Sequence, residues 1–376
     1  MFLPTTIKEV RARGWDALDV ILFTGDAYID HPSFGAAVIG RLLEAEGYRV
    51  AIVPQPNWRD DLRDFTKLGA PRLFFGVTAG AMDSMVNHYT ANLRLRHDDA
   101  YTPGGAAGYR PDRAVTVYTR ILKRLFPHTP VVAGGIEASL RRLAHYDYWS
   151  DRIMPSILAD SGADLVMYGM GERVVQEVAR ALRNGYNAKL LRKIRQVAFI
   201  ADRDYVERLD PERTIRLRSY EECARDDRAF AGNFTVIETQ SNLRDPVHTL
   251  VEPTGDRFVV VTPPNAVLTT EELDRSFDLP YERAPHPRYE GRGPIPAWEM
   301  IKYSVNLHRG CFGGCSFCTI SAHQGKFVQT RSTRSILAEV ERVTRMPGFK
   351  GYLSDIGGPS ANMYGMGGRD RTLCGR

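Results

Sequence analysis

The chain has 376 residues, 43% of them hydrophobic and 25% charged, which is an ordinary composition for a globular protein of about two domains. The formal net charge of +5 is too small to indicate a nucleic-acid partner by itself. The first residues lack a basic segment followed by an apolar one, and no stretch approaches the roughly 18 apolar residues of a membrane helix. We therefore expect neither a secretory signal nor a membrane partner.

Short apolar runs alternate with helical patterns through the first half of the chain. These runs cover residues 19–24, 50–53, 73–77, 131–133 and 165–168. Near-continuous apolar strands separated by helices indicate a parallel sheet that is covered on both faces. The fold class predicted for residues 1–185 is therefore α/β, with a Rossmann-like, doubly wound sheet.

The loops after these strands lie where a doubly wound sheet binds ligands. They contain residues 25–32, 78–80, 134–137 and 169–172, and none matches a dinucleotide or P-loop fingerprint. The first of them is rich in polar side chains. One interpretation is structural: Asp26, Asp30 and His31 brace the start of a helix, and Ser33 caps it.

Residues 186–297 are predicted to form a connector between two domains. Further strands are predicted at 194–200 and 257–261, and a helix at 220–230. Residues 279–296 contain five prolines and predict an extended linker.

The last part, residues 298–376, begins with a predicted strand, because Ile301, Tyr303, Val305 and Leu307 alternate with polar residues. A cysteine-rich loop follows, then a helix over 333–344 and a second strand over 351–353. This strand leads into a pair of glycines. The order predicts one βαβ unit with its chemistry at the carboxyl ends of the strands.

Five cysteines are present: Cys223, Cys311, Cys315, Cys318 and Cys374. An odd number, with three inside eight residues, argues against a disulfide framework and for a reducing, cytoplasmic location. Cys223 lies in a helical pattern far from the others, and we interpret it as structural.

The spacing C-x3-C-x2-C places three soft thiolate ligands on one glycine-containing loop. A [4Fe–4S] cluster held entirely by protein uses four cysteines, so three would leave one iron open. Two other interpretations remain. One is a structural zinc site with His308 or His323 as fourth ligand, although zinc ligands usually come as two separated pairs. The other is three ordinary buried cysteines.

The cysteine motif with Phe317 before its last cysteine resembles the radical S-adenosylmethionine (radical SAM) superfamily. The flanking sequence is similar to the YgiQ family, of the UPF0313 type, at residues 24–32, 308–318, 321–325, 329–332 and 355–364. The resemblance covers essentially the whole chain. The substrate of that family is not established.

The resemblance implies a [4Fe–4S] cluster on Cys311, Cys315 and Cys318, whose open iron binds the methionine moiety of SAM. An electron from an external donor would then cleave SAM and give a 5′-deoxyadenosyl radical. It also implies that the backbone of Phe317 neighbours adenine, and that backbone groups at Gly357 and Gly358 meet the methionine amino group. Arg309 and Lys326 are expected to offset the negative charge of the thiolates.

The resemblance also extends to the N-terminal sheet, which is similar to the cobalamin-binding domains of many radical SAM enzymes. Those that ligate cobalt carry D-x-H-x-x-G, whereas Asp30 and His31 are adjacent here. We therefore expect either cobalamin without a lower histidine ligand or the fold alone. The alternative function is a zinc- or cluster-containing module that binds RNA without catalysis, since arginine is abundant.

The last expectation concerns completeness. A radical SAM core resembles a six-stranded partial (βα) barrel, and the residues after Trp298 suffice only for its first βαβ part. Cys374 looks like the first cysteine of a further cysteine-rich stretch. The chain is therefore expected to be a fragment or an early-terminated member. The alternative is a short protein that pairs with a second chain.

Overall fold

The computed structural model describes residues 1–359 and 361–367. Its strands are β1 (Val20–Thr24), β2 (Ile29–Asp30), β3 (Val50–Pro54), β4 (Phe74–Thr78), β5 (Val131–Ala133), β6 (His145–Asp147), β7 (Arg152–Met154), β8 (Leu165–Met167), β9 (Val197–Ala201), β10 (Thr214–Arg216), β11 (Thr249–Thr254), β12 (Arg257–Val261), β13 (Ala284–Pro285), β14 (Ser304–Asn306), β15 (His308–Arg309), β16 (Gln329–Thr330) and β17 (Asp355–Gly357).

The helices are α1 (Ile7–Ala12), α2 (Gly35–Ala45), α3 (Arg63–Thr66), α4 (Ser84–His88), α5 (Ala114–Leu125), α6 (Gly135–Leu140), α7 (Ile157–Ser161), α8 (Glu172–Arg183), α9 (Ala188–Leu191), α10 (Arg203–Glu207), α11 (Tyr220–Cys223), α12 (Asp227–Ser241), α13 (Thr270–Phe277), α14 (Pro296–Ile301), α15 (Ile320–Gln324) and α16 (Thr333–Thr344). Short 3-10 turns cover Pro103–Gly105, Pro211–Arg213 and Pro287–Tyr289. Among the described residues, no helix is both long and apolar enough to cross a bilayer.

A sheet of nine strands forms the centre of the described chain, in the order β10-β11-β12-β9-β8-β5-β4-β1-β3. The five strands predicted from the apolar runs are β1, β3, β4, β5 and β8, and they pair in parallel. Their residues alternate between two buried layers. Val20 and Leu22 share a core with helix α8, whereas Ile21 and Phe23 share one with helix α5. Burial on both faces explains the near-continuous apolar sequence, and the predicted fold class is confirmed.

The predicted connector adds four strands to this same sheet. Strand β9 pairs antiparallel with β8, β12 with β9 and β11 with β12, and β10 joins β11 in parallel. The predicted boundary at 185/186 thus falls between two neighbouring strands of one sheet. The helix predicted over 220–230 is two helices, because Asp226 caps a new one by accepting a hydrogen bond from Arg228 N.

The proline-rich segment 279–296 is docked rather than free, and it combines a short strand with a 3-10 turn instead of being extended throughout. Strand β13 pairs antiparallel with β2, with Ala284 opposite Asp30. Tyr289 is buried, and its hydroxyl oxygen accepts a hydrogen bond from Tyr28 N at 2.8 Å. The linker therefore belongs to the packing of the N-terminal sheet.

The predicted βαβ unit is present, with two corrections to its strands. Strands β14 and β17 pair in parallel, and α16 lies between them in the chain. The first strand is shorter than predicted, because Pro296 starts a helix that runs to Ile301. The strand predicted over 351–353 is wrong; the paired residues are those of β17. Helix α16 begins and ends as predicted, and Ser332 caps it by accepting a hydrogen bond from Ser335 N.

Buried arginines attach this unit to the rest of the molecule. Arg331 contacts the Glu339 carboxylate and donates to Asn306 O at 2.7 Å. Arg283, in the linker, contacts the same carboxylate and donates to Ser304 O at 2.8 Å. One glutamate thus ties the linker, β14 and α16 together, which fixes the position of the loop that follows β15.

Candidate metal and cofactor site

The cysteine loop follows β15, which pairs antiparallel with β16. Two hydrogen bonds hold its start: Cys311 N donates to Gly325 O, and Gly310 N donates to Gln324 Oε1, both at 3.1 Å. Gly310 has a φ of +84°, and a Cβ there would lie 2.2 Å from Phe327 O. Only glycine fits this turn, so the entry to the loop is set by backbone sterics.

The three thiols differ in exposure: Cys311 is buried, Cys315 is exposed and Cys318 is intermediate. Gly313 lies between the first two, since a Cβ on it would be 3.4 Å from the Cys311 sulfur and 3.7 Å from the Cys315 sulfur. Cys318 N donates to Cys315 O at 3.0 Å, which forms a turn that carries the third thiol.

Three sulfur donors on one glycine-containing loop fit the chemistry of an iron–sulfur cluster. Among the described residues, no three His, Cys, Asp or Glu side chains stand close enough together to hold a metal ion. Two sulfurs flank one glycine, and the third lies one turn away. Cys374 lies outside the described residues.

His308 connects the cysteine loop to the predicted glycine pair. Its ring is buried, and its Nε2 accepts a hydrogen bond from Met363 N at 2.9 Å. A Cβ on Gly358 would lie only 2.0 Å from that Nε2, so the ring occupies the place of a side chain. Gly357, the last residue of β17, is buried beside it. The glycine pair and the cysteine loop are therefore neighbours, as the βαβ order predicts.

Each histidine considered as a zinc ligand has a hydrogen-bond partner other than a thiol. His308 is held by Met363 as described, and burial lowers its pKa. The Nδ1 of His323 lies 3.0 Å from the Ser139 hydroxyl, and burial lowers the pKa of this imidazole to about 4. His308 thus packs within the C-terminal part, and His323 packs against the N-terminal part.

The two cations expected to offset the thiolate charge are paired elsewhere. Arg309 forms an ion pair with buried Glu172 and lies over the Phe277 ring, 5.0 Å from its centroid. Lys326 pairs with Glu238 and donates to Asn242 Oδ1 at 2.7 Å. Glu172 lies in one of the predicted ligand loops, but its pairing with Arg309 was not predicted from the sequence.

Phe317, the expected neighbour of adenine, projects into solvent with 89% of its surface exposed. The described residues therefore leave this ring uncovered.

A cavity of about 240 Å³ lies where the parallel strands end and the cysteine segment begins. Glycines of three predicted ligand loops line it (Gly80, Gly134 and Gly169), together with Arg309 and His323. The position matches the general rule for ligand sites in open α/β sheets.

The polar residues of the first loop are engaged elsewhere. Asp30 pairs with buried Arg41, whose Nε lies 3.1 Å from its Oδ1. His31 is buried, and its Nδ1 accepts a hydrogen bond from Ser33 N at 3.1 Å. Helix α2 begins after Phe34 without a side-chain cap, so the predicted Ser33 cap is wrong.

A sequence model of the family described as Radical SAM N-terminal matches residues 2–304. The chain belongs to this family. The match covers most of the chain, including the sheet and the docked linker, and it ends at the first residue of β14. The resemblance to radical SAM proteins is thus confirmed at the level of the family, which favours the enzyme hypothesis over an RNA-binding module.

Curated relatives confirm the likeness to UPF0313 proteins. A UPF0313 protein of Porphyromonas gingivalis is 61% identical over 375 residues, which is 100% of this chain and 59% of that protein. One of Bacteroides thetaiotaomicron is 58% identical over 99% of this chain and 61% of its own length. UPF0313 protein YgiQ of Escherichia coli is 46% identical over 96% of this chain and 56% of its own. The chain thus spans about three-fifths of these relatives.

Among solved structures, TsrM from Kitasatospora setae is similar in part. The structure of this radical SAM methyltransferase with tryptophan substrate and a SAM analog matches with a TM-score of 0.47 and 17% identity, over 87% of this chain and 45% of that one. The structure of TsrM with cobalamin and a [4Fe–4S] cluster bound gives a TM-score of 0.46 and 16% identity, over 87% of this chain and 46% of that one.

Proposed function

We propose that Cys311, Cys315 and Cys318 hold a [4Fe–4S] cluster that binds SAM, and that the protein cleaves SAM reductively to act on a substrate not yet identified. One observation supports the proposal: the cysteine loop and the glycine pair lie beside each other after two parallel strands, and His308 contacts the segment that contains the glycines. Family membership supports it.

The residues of this chain have separable tasks in that proposal. Gly310 and Gly313 allow the loop to bring its thiolates together, and His308 holds the segment after β17 against the loop. The backbone after Gly357 offers carbonyl groups to an ammonium group. The backbone at Phe317 lies beside adenine. When bound, the cluster supplies the electron that splits the sulfonium bond, and an external donor must replace that electron.

Anaerobic reconstitution with iron and sulfide tests the metal assignment. We expect a brown protein with about four irons and four sulfides per chain and a broad thiolate-to-iron absorption band. A colourless protein with about one zinc and no sulfide would contradict the proposal. Incubation with SAM and a strong reductant then tests cleavage, and 5′-deoxyadenosine is the expected product.

A further inference from the structure

A second cavity, of about 170 Å³, lies on the other side of the segment that follows the cysteines. Its walls come from helix α12, the loop after β12 and residues 321–327. The two cavities share the lining residues Gly169, Met170, His323 and Gln324. The second cavity therefore adjoins the first, and none of the three loop cysteines lines it.

The lining of this cavity is cationic. Arg142, Arg173, Arg244 and Lys326 line it, whereas no Asp or Glu does. Carboxylates outside the lining neutralise two of these cations: Glu272 pairs with Arg173, and Glu238 pairs with Lys326. No ion pair is found for Arg142 or Arg244 within residues 1–359 and 361–367. The cavity thus keeps an excess of positive charge.

Two buried donors of this lining have no hydrogen-bond partner among the described residues: Arg142 Nε and Asn265 Nδ2. The Arg142 guanidinium lies over the Tyr168 ring, 4.7 Å from its centroid, and another of its nitrogens donates to Ser139 O at 2.5 Å. Because a buried donor without a partner costs free energy, such groups usually have a ligand or water.

The backbone around these donors is held in place. Gln196 donates to Tyr168 O at 2.7 Å and to Met170 O at 2.6 Å, and its Oε1 accepts from Asn265 N at 3.1 Å. The backbone around the two unpartnered donors is thus fixed by hydrogen bonds. Apolar side chains, among them Leu268 and Phe327, complete the walls.

We propose that this cavity is a binding site for a small organic anion, a carboxylate or phosphate monoester with an apolar or aromatic body. Its charged group would accept hydrogen bonds from Arg142 Nε and Asn265 Nδ2, and its apolar part would contact the wall of Leu268 and Phe327. The proposal rests on the cavity alone and does not require a bound cluster.

The site is coupled to the cysteine loop through one short segment. Gln324 lines the cavity, and its side chain accepts the hydrogen bond from Gly310 N. Gly325, also in the lining, accepts the hydrogen bond from Cys311 N. An anion in the cavity would therefore contact the segment that positions the first cysteine.

Calorimetric titration of the purified full chain tests the proposal, at constant ionic strength and without added metal. The probes are benzoate, phenyl phosphate and inorganic phosphate, with benzyl alcohol as the neutral control. We expect saturable binding of at least one aromatic anion and none of benzyl alcohol. The comparison of benzoate with phenyl phosphate shows which charged group is preferred, and inorganic phosphate shows whether the apolar body is needed.

Matched variants locate the binding. Arg142→Gln should weaken it by about ten-fold or more, because a charge-assisted hydrogen bond is lost. Asn265→Asp, which places a carboxylate where a donor stood, should weaken it similarly. The control is Arg183→Gln: Arg183 also lies over a tyrosine ring, 4.6 Å from the Tyr48 centroid, but it does not line the cavity. The Arg183→Gln variant should bind the anion with the same affinity as the unchanged chain.

The proposal would be overturned by absence of saturable binding for all three anions, by equal binding of benzyl alcohol, or by an equal loss in Arg183→Gln. Circular dichroism checks that each variant folds. If Arg142→Gln does not fold, Asn265→Asp and the exposed Arg244→Gln decide the outcome, since unchanged affinity in both would also contradict the site.

Discussion

The contact between Gly358 and His308 determines which substitutions the segment after β17 tolerates. The ring of His308 fills the space of a side chain at position 358 and is fixed by its bond from Met363 N. A larger residue at 358 must displace a buried ring and not the end of a mobile side chain. The two residues therefore act as one structural unit, although 50 positions separate them.

The substitution Gly358→Ala should destabilise the chain by about 1–3 kcal/mol, since it overpacks a buried contact. Thermal unfolding measures this change. Gly367→Ala is the control, because nothing lies within 4 Å of a Cβ at that position. The double variant Gly358→Ala, His308→Ala lacks the clash. In the His308→Ala background, the alanine at 358 should therefore cause little further loss of stability. Equal losses at 358 and 367 would contradict this account.

The cysteines of the loop and Cys223 have different environments. Burial raises the pKa of the Cys223 thiol to about 11, so this thiol stays protonated at neutral pH, and its sulfur accepts a hydrogen bond from Asn233. It is therefore a structural cysteine, as predicted, and a poor metal ligand.

We expect Cys315→Ser to abolish retention of iron and sulfide after anaerobic reconstitution, because a hydroxyl is a poor ligand for iron in a cluster. Cys223→Ala should retain both. Metal analysis and the visible spectrum provide the readout, with circular dichroism as the check on folding. Full iron content in Cys315→Ser would remove this residue from the proposed ligand set.

Glu252, on β11, is a buried carboxyl group that gives the chain a pH-dependent stability. It is 1% exposed, and burial raises its pKa to about 7 although it accepts a hydrogen bond from Ala144 N at 2.9 Å. A carboxyl group whose pKa is higher in the folded chain binds more protons there. The free energy of unfolding therefore falls as pH rises from the unfolded pKa to about 7.

Glu252→Gln should remove this dependence, because the amide stays neutral. The free energy of unfolding of this variant should exceed that of the unchanged chain by an amount that grows between about pH 5 and about pH 8, up to roughly 3 kcal/mol. Denaturant unfolding at both pH values measures it. Glu207→Gln, at the exposed end of α10, should track the unchanged chain. An advantage of Glu252→Gln that is the same at both pH values would show that burial of the charge is not the cause.

At the scale of elements, the sequence predicts a helix or strand correctly where its residue pattern is compatible with only one kind of structure. Strands β1, β3, β4, β5 and β8 are buried on both faces, so their apolar runs are unambiguous. Helix α16 has a serine cap and an apolar stripe, and its ends are predicted to the residue. The three cysteines stand out by spacing alone.

The predictions from sequence fail where contacts between residues far apart in the chain determine the local structure. Residues 301–303 alternate like a strand, yet Pro296 and Trp298 place Ile301 in a helix, with the Trp298 indole donating to Arg283 O at 3.1 Å. The roles of His308 and Glu172 depend on partners far away in the chain, and no local pattern reveals them. Five prolines predict an extended linker, but its docking depends on distant partners, as in the pairing of β13 with β2 and the burial of Tyr289 in the core.

At the scale of the whole molecule, the first cavity bears on the expected corrinoid. It lies at the carboxyl edge of the sheet, but neither Asp30 nor His31 lines it. If cobalamin binds there, His31 cannot ligate cobalt without leaving its buried position. The expectation of cobalamin without a lower histidine ligand therefore stays a prediction with a clear test.

Hydroxocobalamin added to the full chain, followed by removal of the unbound corrinoid, should leave a corrinoid spectrum if the site is real. His31→Ala, checked for folding, should leave the wavelengths of that spectrum unchanged, because this ring is not the ligand. A shift in that variant would instead identify His31 as a cobalt ligand. A chain that elutes without corrinoid would show that only the fold has been kept.

The continuity of the sheet has a practical consequence for anyone who divides this protein into parts for expression. A chain that ends at residue 185 loses β9, and the edge of β8 that pairs Val166 with Ala198 becomes open. Its unpaired backbone groups and apolar neighbours would form a template for aggregation. A chain of residues 1–297 keeps the whole sheet and the linker strand β13. We expect the longer piece to elute as a folded species in size-exclusion chromatography and the shorter one to precipitate; a monodisperse 1–185 piece would show that its sheet does not need the added strands.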